Sequence, residues 1–407
     1  MSGPIKIQGA ALVLSGGGVR GAYEAGVVSG ILEVLGPQKR SPFRIFAGTS
    51  VGALNASFFA ANADRPDLGI GDLRKLWDLR LEEFLRIEPH HLFEAPRKLS
   101  KRLNTLLGRD VAERGIGRSL LDVRPLERLV TRGIDFERLH RNVDNNELSA
   151  LAIAALEIAS GRTTIFVEHS ADTSFRSSVD PRRVPRSERI TADHVLGSCA
   201  LPMLYPARRI GNKYYLDGGI RFNTPIAPAI RTGADRIVVV APSSAPRDPL
   251  TALDHTPDYP SLPFLLGKLL NALLLDPLSY DLEVLTRFNA LFKVLENTLE
   301  PAVMGQVREL LLDTRGASYR DIDSLVFRPS VDLSLMAANF VETSLDTLSL
   351  SRAKRWLLCK ATRTRVTSEA DLASYLLFDG QFTHQLIDLG HEDALDQADT
   401  IRTFFAD

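Results

Sequence analysis

Phe43-Arg44-Ile45-Phe46-Ala47-Gly48-Thr49-Ser50-Val51-Gly52-Ala53-Leu54-Asn55 passes from a strand-type run to a helix-type run within one turn. Phe43 to Ala47 is short and mostly apolar, whereas Val51 to Asn62 is rich in alanine and leucine. Gly48 and Gly52 stand two places before and after Ser50. That spacing predicts a tight, strained strand-to-helix turn with the serine hydroxyl exposed on top. A serine placed there is a nucleophile candidate, because the free N–H groups and dipole of a helix N-terminus favour developing negative charge.

Upstream, Ala10-Ala11-Leu12-Val13-Leu14 reads as a buried strand running into Ser15-Gly16-Gly17-Gly18-Val19-Arg20-Gly21. Apolar residues at Ala22, Ala25, Val28, Ile31, Leu32 and Leu35 then recur at helical spacing, and Gly36-Pro37 ends the helix. Two successive strand–turn–helix units predict an α/β fold, a mostly parallel central sheet flanked by helices. Downstream, helix is expected at Asp72–Arg86, Leu126–Gly133 and Thr191–Cys199. Strands are expected at Glu147–Ala155, Thr163–Glu168, Lys213–Leu216 and Arg236–Val240. Ser170 to Arg189, rich in Ser, Arg, Asp and Pro, reads as an exposed loop. Beyond about 245 the chain becomes mainly helical, at 262–299, 302–313, 352–360, 368–378 and 393–405, with one strand at Ser324–Val331. The proline-rich stretch there divides a core, 1–245, from a C-terminal region, 246–407. Whether that region merges with the core or stands apart is left open, since its strand could rejoin the first sheet.

Cleavage of an ester by serine needs an exposed hydroxyl, a base, and donors where the carbonyl oxygen becomes an anion. Ser50 supplies the first. Gly16, Gly17 and Gly18 can supply the third, since bare backbone N–H groups approach a substrate closely. Asp217 is the candidate base, because Gly218 and Gly219 let the chain turn sharply beside its carboxylate. Two rival readings weigh less. The glycine turn also satisfies the dinucleotide fingerprint, but that fold needs an acid at the end of the second strand, and here that strand ends in the serine turn. A serine–histidine–acid triad would draw on His90, His91, His140, His169, His194, His255, His384 or His391, none of which occupies a glycine-flanked turn after a strand. A dyad without histidine fits better.

Gly16-Gly17-Gly18-Val19-Arg20-Gly21, Gly48-Thr49-Ser50-Val51-Gly52 and Asp217-Gly218-Gly219, in this order and spacing, resemble the patatin-like phospholipase family. The likeness runs through Gly197-Ser198-Cys199-Ala200-Leu201-Pro202 and Asn223-Thr224-Pro225 and covers roughly residues 9–245; the tail around Ser374-Tyr375 is similar to longer bacterial members. The resemblance implies a Ser50/Asp217 dyad with Asp217 as general base. It also implies an oxyanion hole from the amides of Gly17 and Gly18, with Gly16 as a further candidate, and an Arg20 that fixes the loop. Phospholipids or related acyl lipids are the implied substrates, with no metal and no cofactor. A lipid-binding protein without turnover remains the main alternative, ahead of a dinucleotide-binding oxidoreductase.

The 407 residues are 44% hydrophobic and 24% charged, ordinary for a globular chain, and the net charge of -1 gives no global field for nucleic acid. Two cysteines, Cys199 and Cys359, exclude a disulfide framework and suit a reducing compartment. No secretory signal or membrane span is evident, so a cytoplasmic location is expected, with lipid met from the aqueous side. Arg97, Lys98, Lys101, Arg102, Arg109, Arg114 and Arg118, interspersed with leucines, form a candidate basic segment for an anionic surface.

Overall fold

The computed structural model describes residues 9–84, 121–173, 175, 180–202, 204–243, 276–315, 321–344 and 370–406. The basic segment at 97–118, the apolar stretch at 262–275, the expected helix at 352–360, His90, His91, His255 and Cys359 lie outside the described residues.

Among the described residues, nine strands form the sheet: β1 (Ala10–Leu14), β2 (Phe43–Thr49), β3 (Ala150–Glu157), β4 (Thr163–His169), β5 (Arg183–Ser187), β6 (Arg208–Ile210), β7 (Lys213–Asp217), β8 (Arg236–Val240) and β9 (Asp323–Phe327). Their order is β5-β4-β3-β2-β1-β8-β9, with β7 paired to β3 and β6 to β7. The neighbours β3-β2-β1-β8-β9 run parallel, whereas β4 and β7 are antiparallel to β3. The mostly parallel α/β class is therefore observed. The strand expected at Ser324–Val331 runs from Asp323 to Phe327 and joins this same sheet beside β8.

Alternation along each strand sends side chains to two cores. Leu12, Leu14 and Phe46 face one side, with helices α1 (Gly21–Leu35) and α2 (Val51–Ala61). Ala11, Val13, Ile45 and Ala47 face the other, against Ile226 and Ala229. The final helices differ from the expected 393–405. They span Gly380–Leu395 and Ala398–Phe405, and the first starts where the Asp379 carboxylate accepts N–H bonds from Gln381 and Phe382. Helix Gly380–Leu395 packs backbone to backbone on α1: a Cβ at Gly26 would collide with the Ile387 carbonyl, and one at Gly390 with that of Tyr23.

The composition of Ser170–Arg189 predicts a loop, but Arg183–Ser187 within it is an edge strand parallel to β4. Its mixed charge and Pro185 hid it, because an edge strand can leave one row of N–H groups unpaired and tolerate proline.

Candidate active site

One strand acts as the ruler for the site. Along β3, β4 occupies one edge over Ala150–Leu156, so β2 and β7 must share the other. They arrive there from opposite directions. β2 ends with Thr49 opposite Ala154, and β7 ends with Asp217 opposite Ala155. The strand ends therefore meet, and Ser50 and Asp217 come together although 167 positions separate them.

The serine turn has the strain its sequence implies. Ser50 sits at φ 56 and ψ -129, a conformation L-residues avoid, at the N-terminus of α2. Only glycine fits on either side of it. A Cβ at Gly48 would run into the Gly52 carbonyl, and one at Gly52 into that of Leu14. The Ser50 N–H donates to Ser198 Oγ at 2.8 Å, and that hydroxyl donates onward to the Ala154 carbonyl at 2.6 Å.

Ser50 Oγ donates to Asp217 Oδ2 at 2.6 Å, and the Gly219 N–H donates to Asp217 Oδ1 at 2.7 Å. Asp217 is wholly buried. Burial raises its pKa from 3.8 to about 7, against the opposing pull of the Ser50 and Gly219 hydrogen bonds. The folded state thus holds a proton that the unfolded chain has released between those values. Fold stability from this group is greatest in acid and falls as pH rises toward and past about 7.

The glycine loop after β1 lies against the same serine: a Cβ added at Gly16 would stand 3.0 Å from Ser50 Cβ. The Gly16 N–H is engaged by Asn223, through its carbonyl at 3.3 Å and its Oδ1 at 3.0 Å. Asn223 Nδ2 donates back to the Gly16 carbonyl, and Ser15 Oγ meets Thr224 Oγ1 at 2.8 Å. Among the described residues, nothing accepts from the N–H of Gly17 or Gly18. Arg20 is buried, with its Nε 3.0 Å from Ser374 Oγ and its Nη2 3.1 Å from Ser334 Oγ. Gly21 packs against the Val51 side chain, while Gly218 lies against the Ala154 carbonyl.

The family model for patatin-like phospholipases matches residues 12–230. The chain belongs to this family. A solved structure of VipD from Legionella pneumophila is similar over 94% of this chain and 67% of that one, at 17% identity and a TM-score of 0.35. Among curated proteins, none matches.

No histidine bonds to Ser50 or Asp217 among the described residues. His140 meets Glu168 at 2.7 Å, His391 meets Glu33 at 2.8 Å, and His194 closes its own helix start with Thr191. Among those residues, no cluster of three or more His, Cys, Asp or Glu could hold a metal, and no helix is long and apolar enough to cross a membrane. A cleft of about 1010 Å³ between Phe58, Leu76, Phe84 and Leu129 contains neither Ser50 nor Asp217.

Sequence reading assigned no role to Ser198, Asn223, Ser334, Ser374 or Tyr375. All but Ser334 lie in stretches that resemble the family, so their neighbourhoods carry a signal. Ser334 is spaced like any polar residue on a helix, and nothing local marks it.

Proposed function

We propose that the protein is a serine acyl hydrolase that cleaves carboxylic ester bonds of phospholipids or related acyl lipids. The observation that carries this reading is the 2.6 Å bond from the Ser50 hydroxyl to a buried carboxylate whose pKa is about 7. An ordinary carboxylate is a weak base toward an alcohol. Desolvation makes this one more basic, near the pH at which it would work.

In the proposed reaction, Ser50 Oγ bonds to the ester carbonyl carbon while its proton passes to Asp217 Oδ2. The carbonyl oxygen becomes an anion facing the N–H groups of Gly17 and Gly18 and the positive end of α2. Gly16 aligns the loop, since its own N–H is engaged by Asn223. Collapse breaks the ester C–O bond, and the departing alcohol takes the proton from Asp217. Water then attacks the acyl-Ser50 carbonyl and gives its proton to Asp217. The carboxylic acid leaves as the proton returns to Ser50. Each oxyanion donor is worth about 3–4 kcal/mol of barrier.

Contact with a lipid surface is part of the proposal. Ile158, just past the end of β3, donates its N–H to the Tyr214 carbonyl in β7, each residue being 47% exposed, and Arg209 pairs with Tyr214 across the β6–β7 hairpin. Apolar and aromatic groups beside a cation suit an anionic interface. Hydrolysis of phospholipid vesicles, with products identified by mass spectrometry, tests the reading. The parent is expected to release fatty acid and Ser50→Ala to release at least about 1000-fold less. Equal release by both would refute it.

A further inference from the structure

We infer that Ser334, Ser374 and Tyr375 are positioning residues for the oxyanion loop, acting through Arg20, so that the C-terminal region completes the active site. The inference rests on the hydrolase reading for its catalytic consequence and on the loop contacts for its structural content.

The glycine loop is a short turn without side chains, and a backbone of that kind does not hold one conformation unaided. From inside the matched segment it is held at its ends, by Asn223 and Thr224 at Gly16 and Ser15 and by Asn55, whose Nδ2 donates to the Gly21 carbonyl at 2.8 Å. Gly17 and Gly18 lie beyond that grip. Their turn is closed by the Arg20 N–H, which donates to the Gly17 carbonyl at 3.2 Å. Wherever the Arg20 side chain is fixed, the orientation of the Gly17 and Gly18 amides is fixed with it.

Its anchor comes from outside the matched residues. Arg20 is 4% exposed, and a buried guanidinium must have its fork of N–H groups met. Ser374 Oγ accepts from both Nε and Nη2, and Ser334 Oγ from Nη2. The guanidinium carbon lies 4.1 Å above the Tyr375 ring centre, a cation–π contact. Tyr375 presses from its backbone side as well, since a Cβ at Gly18 would collide with the Tyr375 carbonyl. Gly18 holds a left-handed φ of 58° at that contact. Two helices, Leu333–Ser344 and Ala370–Leu376, thus clamp one arginine, and the arginine sets the two amides.

The family match stops at residue 230, more than a hundred positions before Ser334. The proposed reacting groups therefore lie inside the matched segment, whereas the groups that fix Arg20 lie outside it. A misplacement of about 1 Å in oxyanion donors costs about 100-fold in rate.

The test uses the full chain with Ser334→Ala, Ser374→Ala, the double variant and Thr343→Ala. Thr343 is an exposed control whose hydroxyl bonds only within its own helix. Two quantities are read: amide hydrogen exchange over Gly16–Gly21, and kcat and KM on a soluble p-nitrophenyl ester. In the double variant, loop exchange is expected to accelerate about 10-fold, and kcat to fall about 10- to 100-fold with KM within about two-fold. Thr343→Ala is expected to match the parent in both. Unchanged loop exchange overturns the clamp; faster exchange with unchanged kcat overturns the positioning role. If the parent cleaves no ester, the hydrolase reading fails, and loop exchange alone decides the clamp. Should the double variant not fold, Ser374→Ala alone carries the test.

Discussion

The serine turn and the glycine loop lie against each other at the proposed reacting position, yet they are held by different means. The serine turn is held by close backbone packing: Gly48 and Gly52 sit against neighbouring carbonyls, and Ser198 ties the Ser50 N–H to β3. Every one of those partners lies between residues 12 and 230. The glycine loop is held by side chains, with Asn223 on one flank and the Arg20 clamp on the other. A strained nucleophile can be built into the junction of a strand and a helix. A donor pair made of bare glycines must be held by other groups, and here half of those come from the C-terminal region.

That contrast makes different substitutions fail differently. The largest effect is expected at Gly52→Ala. Its Cβ would press on the β1 backbone at Leu14 and Ser15, which cannot yield as a side-chain tip would. A loss of about 3 kcal/mol or more in urea unfolding is expected, together with all turnover. Retention of parent stability would break the claim that packing holds the serine turn. Asn223→Ala should be milder. It removes the Oδ1 acceptor from Gly16 and leaves the Gly16 carbonyl without its Nδ2 donor, for about 1–2 kcal/mol of stability. Its kcat should fall further than its stability implies, because Gly16 then keeps only the backbone carbonyl of residue 223 as a partner on this flank; a kcat equal to the parent's would show that the Asn223 side chain does not orient the loop. The smallest effect has the opposite sign. Asp217→Asn removes a carboxylate that burial destabilises when ionised. Its melting temperature is expected to exceed the parent's at pH 8 and to lose that advantage near pH 5. A variant less stable at pH 8 would contradict the assigned burial cost.

How far the sequence reached follows the same division. Turns fixed by local spacing were legible: the glycines around Ser50, the strand ending at Asp217, and the strand Arg236–Val240 all lie where the pattern predicted them. The residues themselves offered Ser50 and Asp217 as nucleophile and base candidates, and the family resemblance implied the same pair, although no local pattern brings them together. The physical reason for their meeting is the shared edge of β3, a property of register between strands rather than of any one segment. Edge strand β5 was missed because half-exposed residues show no clean alternation. The start of helix Gly380–Leu395 was missed because Gly380 at its first position reads as a breaker, although Asp379 caps it. The Ser334 and Ser374 clamp was hidden for a different reason. The tail around Ser374 resembles longer family members, but nothing local in a helix serine more than 300 positions from Arg20 says which side chain it meets.

The reaction itself turns on whether Asp217 takes the Ser50 proton. The rate at which a fluorophosphonate modifies Ser50, followed by mass spectrometry from pH 4 to pH 9, measures this without any lipid. The expected result is a single adduct at Ser50, a rate that rises with pH through a midpoint of about 7, and no comparable adduct in Asp217→Asn. Modification of Asp217→Asn at the parent's rate, or a parent midpoint near 3.8, would contradict it.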